Sequence, residues 1–199
     1  MSVLVDWQIR DRCDPLLSQG DRLLDPFSEA VSGNNVISYG LSHCGYDLRL
    51  AEEFVLFEAD PYWGHQTVMD PKRFHDDAYK NRITRRCSQN FPFTIPPHHY
   101  VLARTVEYVR MPNDLVGIVV GKSTYARSGI LINCTPIEAA WQGHIVLEIG
   151  NCTPLPAVVY PNEGIAQLLF HRLLGIPEKT YADKGGKYQG QTGVTLAKV

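Results

Sequence analysis

The sequence lacks most of the features that would point directly to a binding partner. Its 199 residues carry a formal net charge of only -2, so no overall positive field favours nucleic acid or a membrane surface. No stretch approaches the roughly 18 consecutive apolar residues of a membrane-spanning helix. The N-terminal apolar stretch is too short for a secretion signal, and acidic residues interrupt it. We therefore expect a globular protein of one domain that binds neither nucleic acid nor membrane.

Cysteine is scarce and never closely paired in the sequence. The five cysteines, Cys13, Cys44, Cys87, Cys134 and Cys152, are spread along the chain without a C-x-x-C pair. An odd, scattered set in a chain without a secretion signal is typical of reduced thiols. This pattern predicts a cytoplasmic protein without a structural zinc site.

Three catalytic motifs are also missing. The Walker A spacing of P-loop nucleotide hydrolases is absent, and no G-x-S-x-G segment supports a serine nucleophile. The H-x-E and P-C-x-x-C segments that hold zinc in zinc-dependent deaminases are absent as well. Any hydrolytic reaction must therefore activate its water without zinc.

Most of the sequence consists of short apolar runs separated by turn residues. Runs such as Tyr100–Tyr108, Val116–Val120 and Ile165–Phe170 are bounded by Pro, Gly or Asn, which is typical of an all-β sandwich, jelly roll or barrel. A weak helical pattern with Asp6 as N-cap predicts a short N-terminal helix. The polar segment Asp60–Gln89 predicts a long surface excursion.

Cationic and hydroxyl side chains follow one of these runs directly. Lys122, Ser123 and Arg127 lie just past a predicted strand end, behind Gly121. Backbone N–H groups and cationic side chains in such a turn can hold phosphate oxygens. Ordinary surface ion pairs explain Lys122 and Arg127 equally well at this stage.

Glu148 is the second candidate for chemistry. It follows Leu147 and precedes Ile149 in a strand-like run, and it points to the opposite face from both. Burial of such a carboxylate would raise its pKa toward the range that a general acid or base needs. A solvent-facing strand glutamate is the alternative, and Glu138, in a turn, is the rival carboxylate.

The C-terminal segment 182–195 is rich in Gly, Lys and Gln. Composition alone favours a frayed terminus. The alternative is a mobile lid whose Lys, Tyr and Gln side chains close over a ligand.

Several motifs, in order, resemble the dUTPase and dCTP deaminase superfamily. They are Gly45–Leu48, Gly121–Thr124, Thr135–Gly143 and Gly164–Phe170. Within the superfamily, the segments GKSTYAR, TPIEAAWQGHIVLEIGN and YADKGGKYQGQTGVT are similar specifically to the dCTP deaminase family. The resemblance covers the chain from about residue 38 to its end.

The resemblance implies a fold and an activity. The fold is a single all-β domain over residues 1–199, a distorted β jelly roll of the dUTPase type, with 181–199 as a tail that closes over the nucleotide. It assembles as a homotrimer with nucleotide sites between subunits. The activity is zinc-independent hydrolysis of dCTP to dUTP and ammonia in pyrimidine deoxynucleotide synthesis. Mg²⁺ is held mainly by the triphosphate, with no metal site of the protein itself, and dTTP or dUTP are further ligands.

The resemblance also implies roles for individual residues. Glu148 matches the catalytic glutamate, and Ser123 and Arg127 match the polar pair beside it. The positions that match nucleotide contacts are Lys122, Ser123, Thr124, Tyr125, Ala126, Arg127, Val146, Leu147, Glu148, Gln167, Tyr181, Lys187 and Gln191. The turn departs from the family pattern, because Ala139 and Ala140 stand where Pro and an acidic residue are common.

Two other functions remain open at this stage. A dUTPase, or a bifunctional enzyme that carries dCTP to dUMP and pyrophosphate, would use an acidic residue in the Thr135–Trp141 turn to activate water. A noncatalytic trimer would use the same pocket to sense a nucleotide.

Overall fold

The chain folds mainly into antiparallel β-strands, as the alternating apolar runs predict. The computed structural model describes residues 2–18, 21–57, 71–72 and 82–198. The helices are α1, Asp6–Cys13, and the single turn α2, Ser123–Ala126. The strands are β1 Leu24–Asp25, β2 Val31–Gly33, β3 Val36–Ser42, β4 Gly45–Phe57, β5 Arg82–Arg86, β6 Phe93–Ile95, β7 Tyr100–Arg110, β8 Leu115–Gly121, β9 Ile130–Asn133, β10 Gln142–Asn151, β11 Ala157–Val159 and β12 Gly164–Arg172.

One curled sheet contains most of these strands. Neighbours along its main path are β2, β3, β4, β7, β10 and β9, and all their pairings are antiparallel. The long strand β4 pairs with β3 and β12 in its first half and with β5 and β7 in its second half. Because β4 pairs with one set of strands at its start and another set at its end, the sheet bends around β4 and encloses the core. This arrangement confirms the predicted all-β, jelly-roll-like architecture.

Strand alternation fills the core. In β10, Ile145, Leu147 and Ile149 are buried at no more than 1% exposure. Phe54 and Phe93 stack with their ring centroids 4.4 Å apart. Burying each such side chain stabilises the fold by about 1.5–3 kcal/mol.

The N-terminal helix begins one residue earlier than predicted. Val5, not Asp6, is the N-cap of α1, and the Gln8 side chain accepts a hydrogen bond from the Val5 backbone N–H at 3.1 Å. Ile9 and Cys13 then bury one face of the helix. The prediction of a short N-terminal helix is confirmed, and the predicted cap is wrong. No helix of the described residues is long and apolar enough to cross a membrane.

The predicted excursion Asp60–Gln89 ends earlier than expected. Residues 58–70 and 73–81 lie outside the described residues, but β5 pairs with the second half of β4. Three of the five residues of β5 are arginines, and most of the strand is exposed, so no apolar alternation marks it in the sequence.

An ion pair in the core joins β4 to β7. Arg49 Nε lies 2.7 Å from Glu107 Oε1, and the Arg49 backbone N–H donates to Glu107 Oε2 at 2.9 Å. Glu107 is fully buried, and the Arg49 guanidinium also lies over the Tyr39 ring, 5.1 Å from its centroid. The Glu107 carbonyl lies 3.2 Å from His144 Nδ1 on β10. The pair therefore ties three elements of the sheet together.

Removing one partner of this pair should destabilise the fold strongly. Glu107→Ala leaves the Arg49 guanidinium buried without its carboxylate, which costs about 3–5 kcal/mol. Urea denaturation followed by circular dichroism measures the change. The control Glu178→Ala removes an exposed carboxylate and should stay within about 0.5 kcal/mol of wild type. Equal midpoints for the two variants would contradict the importance of the ion pair.

Candidate active site

A cavity of about 340 Å³ lies against one face of β10. Its walls come from β7, β10, the segment between β9 and β10, and the C-terminal tail. Its polar lining includes Tyr100, Cys134, Glu138, Glu148, Tyr181, Tyr188 and Gln191. The volume and the mixture of apolar walls with a few polar groups suit a small organic ligand.

Glu148 lies on the wall of this cavity because of strand alternation. Its neighbours Leu147 and Ile149 face the core, so Glu148 and Val146 face the cavity. Glu148 is half-buried, and this burial raises the pKa of its carboxyl above the ordinary value, although a hydrogen bond from Asn133 partly opposes the rise. The predicted rise in pKa is confirmed. The shift has the direction that a general acid or base requires.

Three neighbours of Glu148 are not evident from the sequence. Asn133 Nδ2 donates to Glu148 Oε2 at 3.1 Å, because the pairing of β9 with β10 sets the two residues opposite each other. Burial raises the pKa of the Cys134 thiol to about 12, and burial also raises the pKa of Tyr100; Glu148 adds to both shifts. Both groups are therefore neutral beside the carboxylate. Only the strand register reveals this cluster.

The C-terminal tail is docked against the first residues of β10. Gly190 N donates to Gln142 O at 2.8 Å, and His144 N donates to Gln191 O at 3.0 Å. The Gln191 amide returns a hydrogen bond to His144 O at 2.8 Å. Directly before β10, the Trp141 side chain donates from Nε1 to Tyr188 O at 3.1 Å. The tail thus forms one wall of the cavity. It is docked on the sheet and is not a frayed terminus.

Gly143 makes this docking possible. Its φ is +150°, and a Cβ built there would lie 3.1 Å from Gln191 Cγ and backbone N and 3.0 Å from the Trp141 ring. An alanine would therefore push against the tail and against the ring beneath it. The absence of a side chain at Gly143 lets two backbones approach closely.

The turn residues predicted to hold phosphate lie elsewhere on the chain. Within the described part of the chain, no residue of Lys122–Arg127 lines the cavity. Ser123, the first residue of α2, and Arg127, which follows its end, are exposed. Lys122 Nζ pairs with Asp47 Oδ2, and both side chains are largely buried. Gln167, another predicted nucleotide contact, does not line the cavity either. Its side-chain amide donates to Ser42 Oγ at 3.2 Å.

Ten of the thirteen predicted site residues therefore fall into two groups within one chain. The cavity group comprises Val146, Glu148, Tyr181 and Gln191. The second group comprises Gln167 and the residues Lys122, Ser123, Thr124, Ala126 and Arg127. The Leu147 and Tyr125 side chains are buried in the core, so the predicted nucleotide contacts at these two positions would involve their backbones. Lys187 is exposed, with Nζ 3.4 Å from Lys198 O.

Gly143→Ala should release the tail from β10. The added methyl group and the unusual φ both oppose docking, so trypsin should cut after Lys184 and Lys187 several-fold faster than in wild type. Limited proteolysis followed by mass spectrometry gives the rates. Gly150→Ala, on the same strand, meets no atom within 4 Å and should leave them unchanged. Identical rates for the two variants would show that the close approach at Gly143 does not hold the tail.

The sequence is similar to a known protein family and to named members of it. The family model described as dCTP deaminase-like matches residues 3–173. The dCTP deaminase of Erythrobacter litoralis is 47% identical over 199 residues, which span all of both chains. The dCTP deaminase of Nautilia profundicola is 48% identical over 187 residues, 92% of this chain and 93% of the other.

A solved structure supports the fold. The 2'-deoxycytidine 5'-triphosphate deaminase from Agrobacterium tumefaciens matches with a TM-score of 0.58 and 21% identity, over 86% of this chain and 47% of that one. At this identity the likeness concerns the fold alone. The family-model match from residue 3 to residue 173 and the two relatives at 47% and 48% identity lead to one conclusion: this chain belongs to the dCTP deaminase-like family.

Proposed function

We propose that the protein is an enzyme that hydrolyses dCTP to dUTP and ammonia. The observation that carries the proposal is Glu148, a half-buried carboxylate with a raised pKa on the wall of a cavity of about 340 Å³. The relatives named dCTP deaminase, 47% and 48% identical over nearly the whole chain, support the choice of substrate.

In the proposed reaction Glu148 moves each proton. It takes a proton from water as the water oxygen bonds to C4 of the cytosine ring, and it gives that proton to N3. It then takes the proton of the new hydroxyl and gives it to the amino group as the bond from C4 to nitrogen breaks. Ammonia leaves, C4 becomes a carbonyl and Glu148 is again ionised.

The water is activated without zinc in this proposal. The sequence lacks the H-x-E and P-C-x-x-C segments of the zinc enzymes. The proposed replacement is a set of fixed dipoles and charges around the water, with Ser123 and Arg127 orienting it against Glu148. The neutral Tyr100 and Cys134 side chains add no competing charge to that set.

The site is completed by a second subunit in this proposal. Ser123 on α2 and Arg127 just after it are exposed and do not line the cavity of their own chain. The apolar side chains of Val120 and Leu131, which flank α2 along the chain, are 40% and 57% exposed. We infer a homotrimer in which α2 of one subunit covers the cavity of its neighbour.

The triphosphate is bound by cationic groups in this proposal. Arg127 and Lys187 are exposed, whereas Lys122 can contact phosphate only by sharing its ion pair with Asp47. Mg²⁺, when bound with the nucleotide, neutralises phosphate charge. Magnesium held mainly by phosphates is usually bound by one or two protein carboxylates as well, and Glu138 on the cavity lining would supply such a carboxylate.

The proposed setting is the cytoplasm. All five cysteines are free thiols, as reducing conditions require. There the product dUTP serves pyrimidine deoxynucleotide synthesis, and dUTP or dTTP are candidate ligands of the same pocket.

A second candidate function rests on Glu138. This carboxylate lines the cavity together with Glu148, so it could activate a water against the α-phosphate. The enzyme would then be bifunctional and would convert dCTP to dUMP, pyrophosphate and ammonia. Chromatography of the products separates this activity from deamination alone, which gives dUTP. Binding of dCTP without any product would instead indicate a nucleotide sensor.

Glu148→Gln should abolish turnover while largely preserving dCTP binding. The amide keeps the shape but cannot accept a proton, so ammonia release should fall by about 10²–10⁴-fold. An ammonia assay with dCTP, run with and without EDTA, measures turnover, and isothermal calorimetry measures binding. The control Glu178→Gln changes an exposed carboxylate and should behave as wild type. Ammonia release near the wild-type rate in the Glu148 variant would refute the assignment.

Mixing two inactive variants tests the shared site. Arg127→Ala and Glu148→Gln subunits should each be inactive alone. If α2 and the cavity come from different subunits, one interface in each mixed trimer combines an intact Arg127 with an intact Glu148, so mixed trimers regain about a third of the wild-type sites. Co-expression with two affinity tags isolates the mixed trimers for the ammonia assay. Mixed trimers without activity would place both groups in the site of a single subunit.

A further inference from the structure

Asn133 occupies a defined place beside the proposed base. It is the last residue of β9, and the register sets it directly opposite Glu148 on β10. Its Nδ2 donates to Glu148 Oε2 at 3.1 Å. Among the described residues, this is the side-chain hydrogen bond that the Glu148 carboxylate accepts.

The two oxygens of Glu148 thereby become different. Oε2 is occupied by the amide of Asn133, which leaves Oε1 with its lone pairs for the water. A carboxylate held at one oxygen cannot rotate freely about its terminal bond. Correct orientation of a reacting group is worth a large part of an enzyme's rate, and a displacement of about 1 Å can reduce the rate about 100-fold.

The chemistry of an amide suits this task. The amide donates a proton to the ionised carboxylate but carries no charge, so it favours the ionised form without neutralising it as a cation would. Asn133 itself is exposed on β9, the strand that ends the main sheet path. Its side chain is therefore not required to fill the core, and its clearest contact is the carboxylate.

We propose that Asn133 is a positioning residue for the deamination reaction: its amide holds Glu148 Oε2, so that Oε1 faces the attacking water. This inference rests on the proposed function, since it assigns Asn133 a role in the same site. Asn133 does not touch the reacting atoms and acts through Glu148.

Two substitutions separate positioning from shape. Asn133→Ala removes the donor and the volume. Asn133→Asp keeps the volume almost unchanged, removes the N–H donor and adds a negative charge beside Glu148. A merely structural role would make Asn133→Asp the milder change. The proposed role makes it the more severe one.

The expected kinetic result is a loss in kcat with an unchanged KM for dCTP. We expect kcat to fall about 10- to 100-fold in Asn133→Ala and further in Asn133→Asp. Without the donor, the pKa of Glu148 rises. Activity requires the ionised base and disappears as the pH falls through its pKa, so the acidic limb of kcat/KM should move to higher pH, by about one unit.

Other titrating groups face Glu148 and must be distinguished from it. The polar groups that share its cavity are Tyr100 on β7, Cys134 and Glu138 on the segment after β9, and Tyr181 and Tyr188 on the tail. Carbon-13 NMR of labelled glutamate, with Glu148→Gln to assign the signal, gives the pKa of Glu148 alone. The rise in the Glu148 pKa that is expected in the Asn133 variants should also appear in this NMR titration.

The matched control is a second hydrogen bond from asparagine to glutamate outside the cavity. Asn162 Nδ2 donates to Glu52 Oε1 at 3.0 Å. Glu52→Ala removes this bond while leaving Asn162, whose φ is +63°, in place. Its kcat, KM and pH profile should match wild type.

Kinetics and titration in the Asn133 variants decide the inference. Wild-type kcat and an unmoved Glu148 titration in Asn133→Asp would overturn it, and so would a rise in KM that accounts for the loss. A wild-type enzyme that releases no ammonia from dCTP would refute the proposed function instead. The titration needs no turnover, so it still decides whether Asn133 controls the carboxylate.

Discussion

The desolvation of one carboxylate is the constraint on which the rest of the site depends. A glutamate on a β-strand normally faces water, where it titrates too low for proton transfer at neutral pH. Here β10 is fixed between β7 and β9, and Leu147 and Ile149 anchor it in the core. Glu148 therefore cannot turn away from the cavity without withdrawing its neighbours from the core. The stability of the core and the reactivity of the carboxylate are two results of the same alternation.

The walls around Glu148 supply what the strand alone cannot. Tyr100 and Cys134 are uncharged beside it, and Asn133 donates to it. Tyr181 and Gln191 of the tail line the same cavity. Opposing influences thus act on one group, because burial favours its protonated form and the amide favours its ionised form. A group held between these influences can both accept and release a proton during a reaction.

Sequence patterns predict features that repeat at short range, and they miss those that depend on register. Alternation around Glu148 predicts its face and the direction of its pKa shift. Asn133 could not be found in this way, because only the pairing of β9 with β10 sets it beside Glu148. The strand β5 was missed because its arginines hide any apolar period. The role of Gly143 depends on the position of the tail, which lies more than forty residues away in sequence. No local sequence pattern predicts that contact.

The docking of the tail has a consequence for how this region tolerates mutation. On the β10 side, the hydrogen bonds to the tail use only main-chain atoms of Gln142 and His144. The exposed Gln142 side chain can therefore change over generations while the tail stays docked, whereas the His144 side chain also contacts the Glu107 carbonyl. Gly143 between them has no such freedom. Laboratory libraries aimed at this region can vary Gln142 and should leave the glycine untouched.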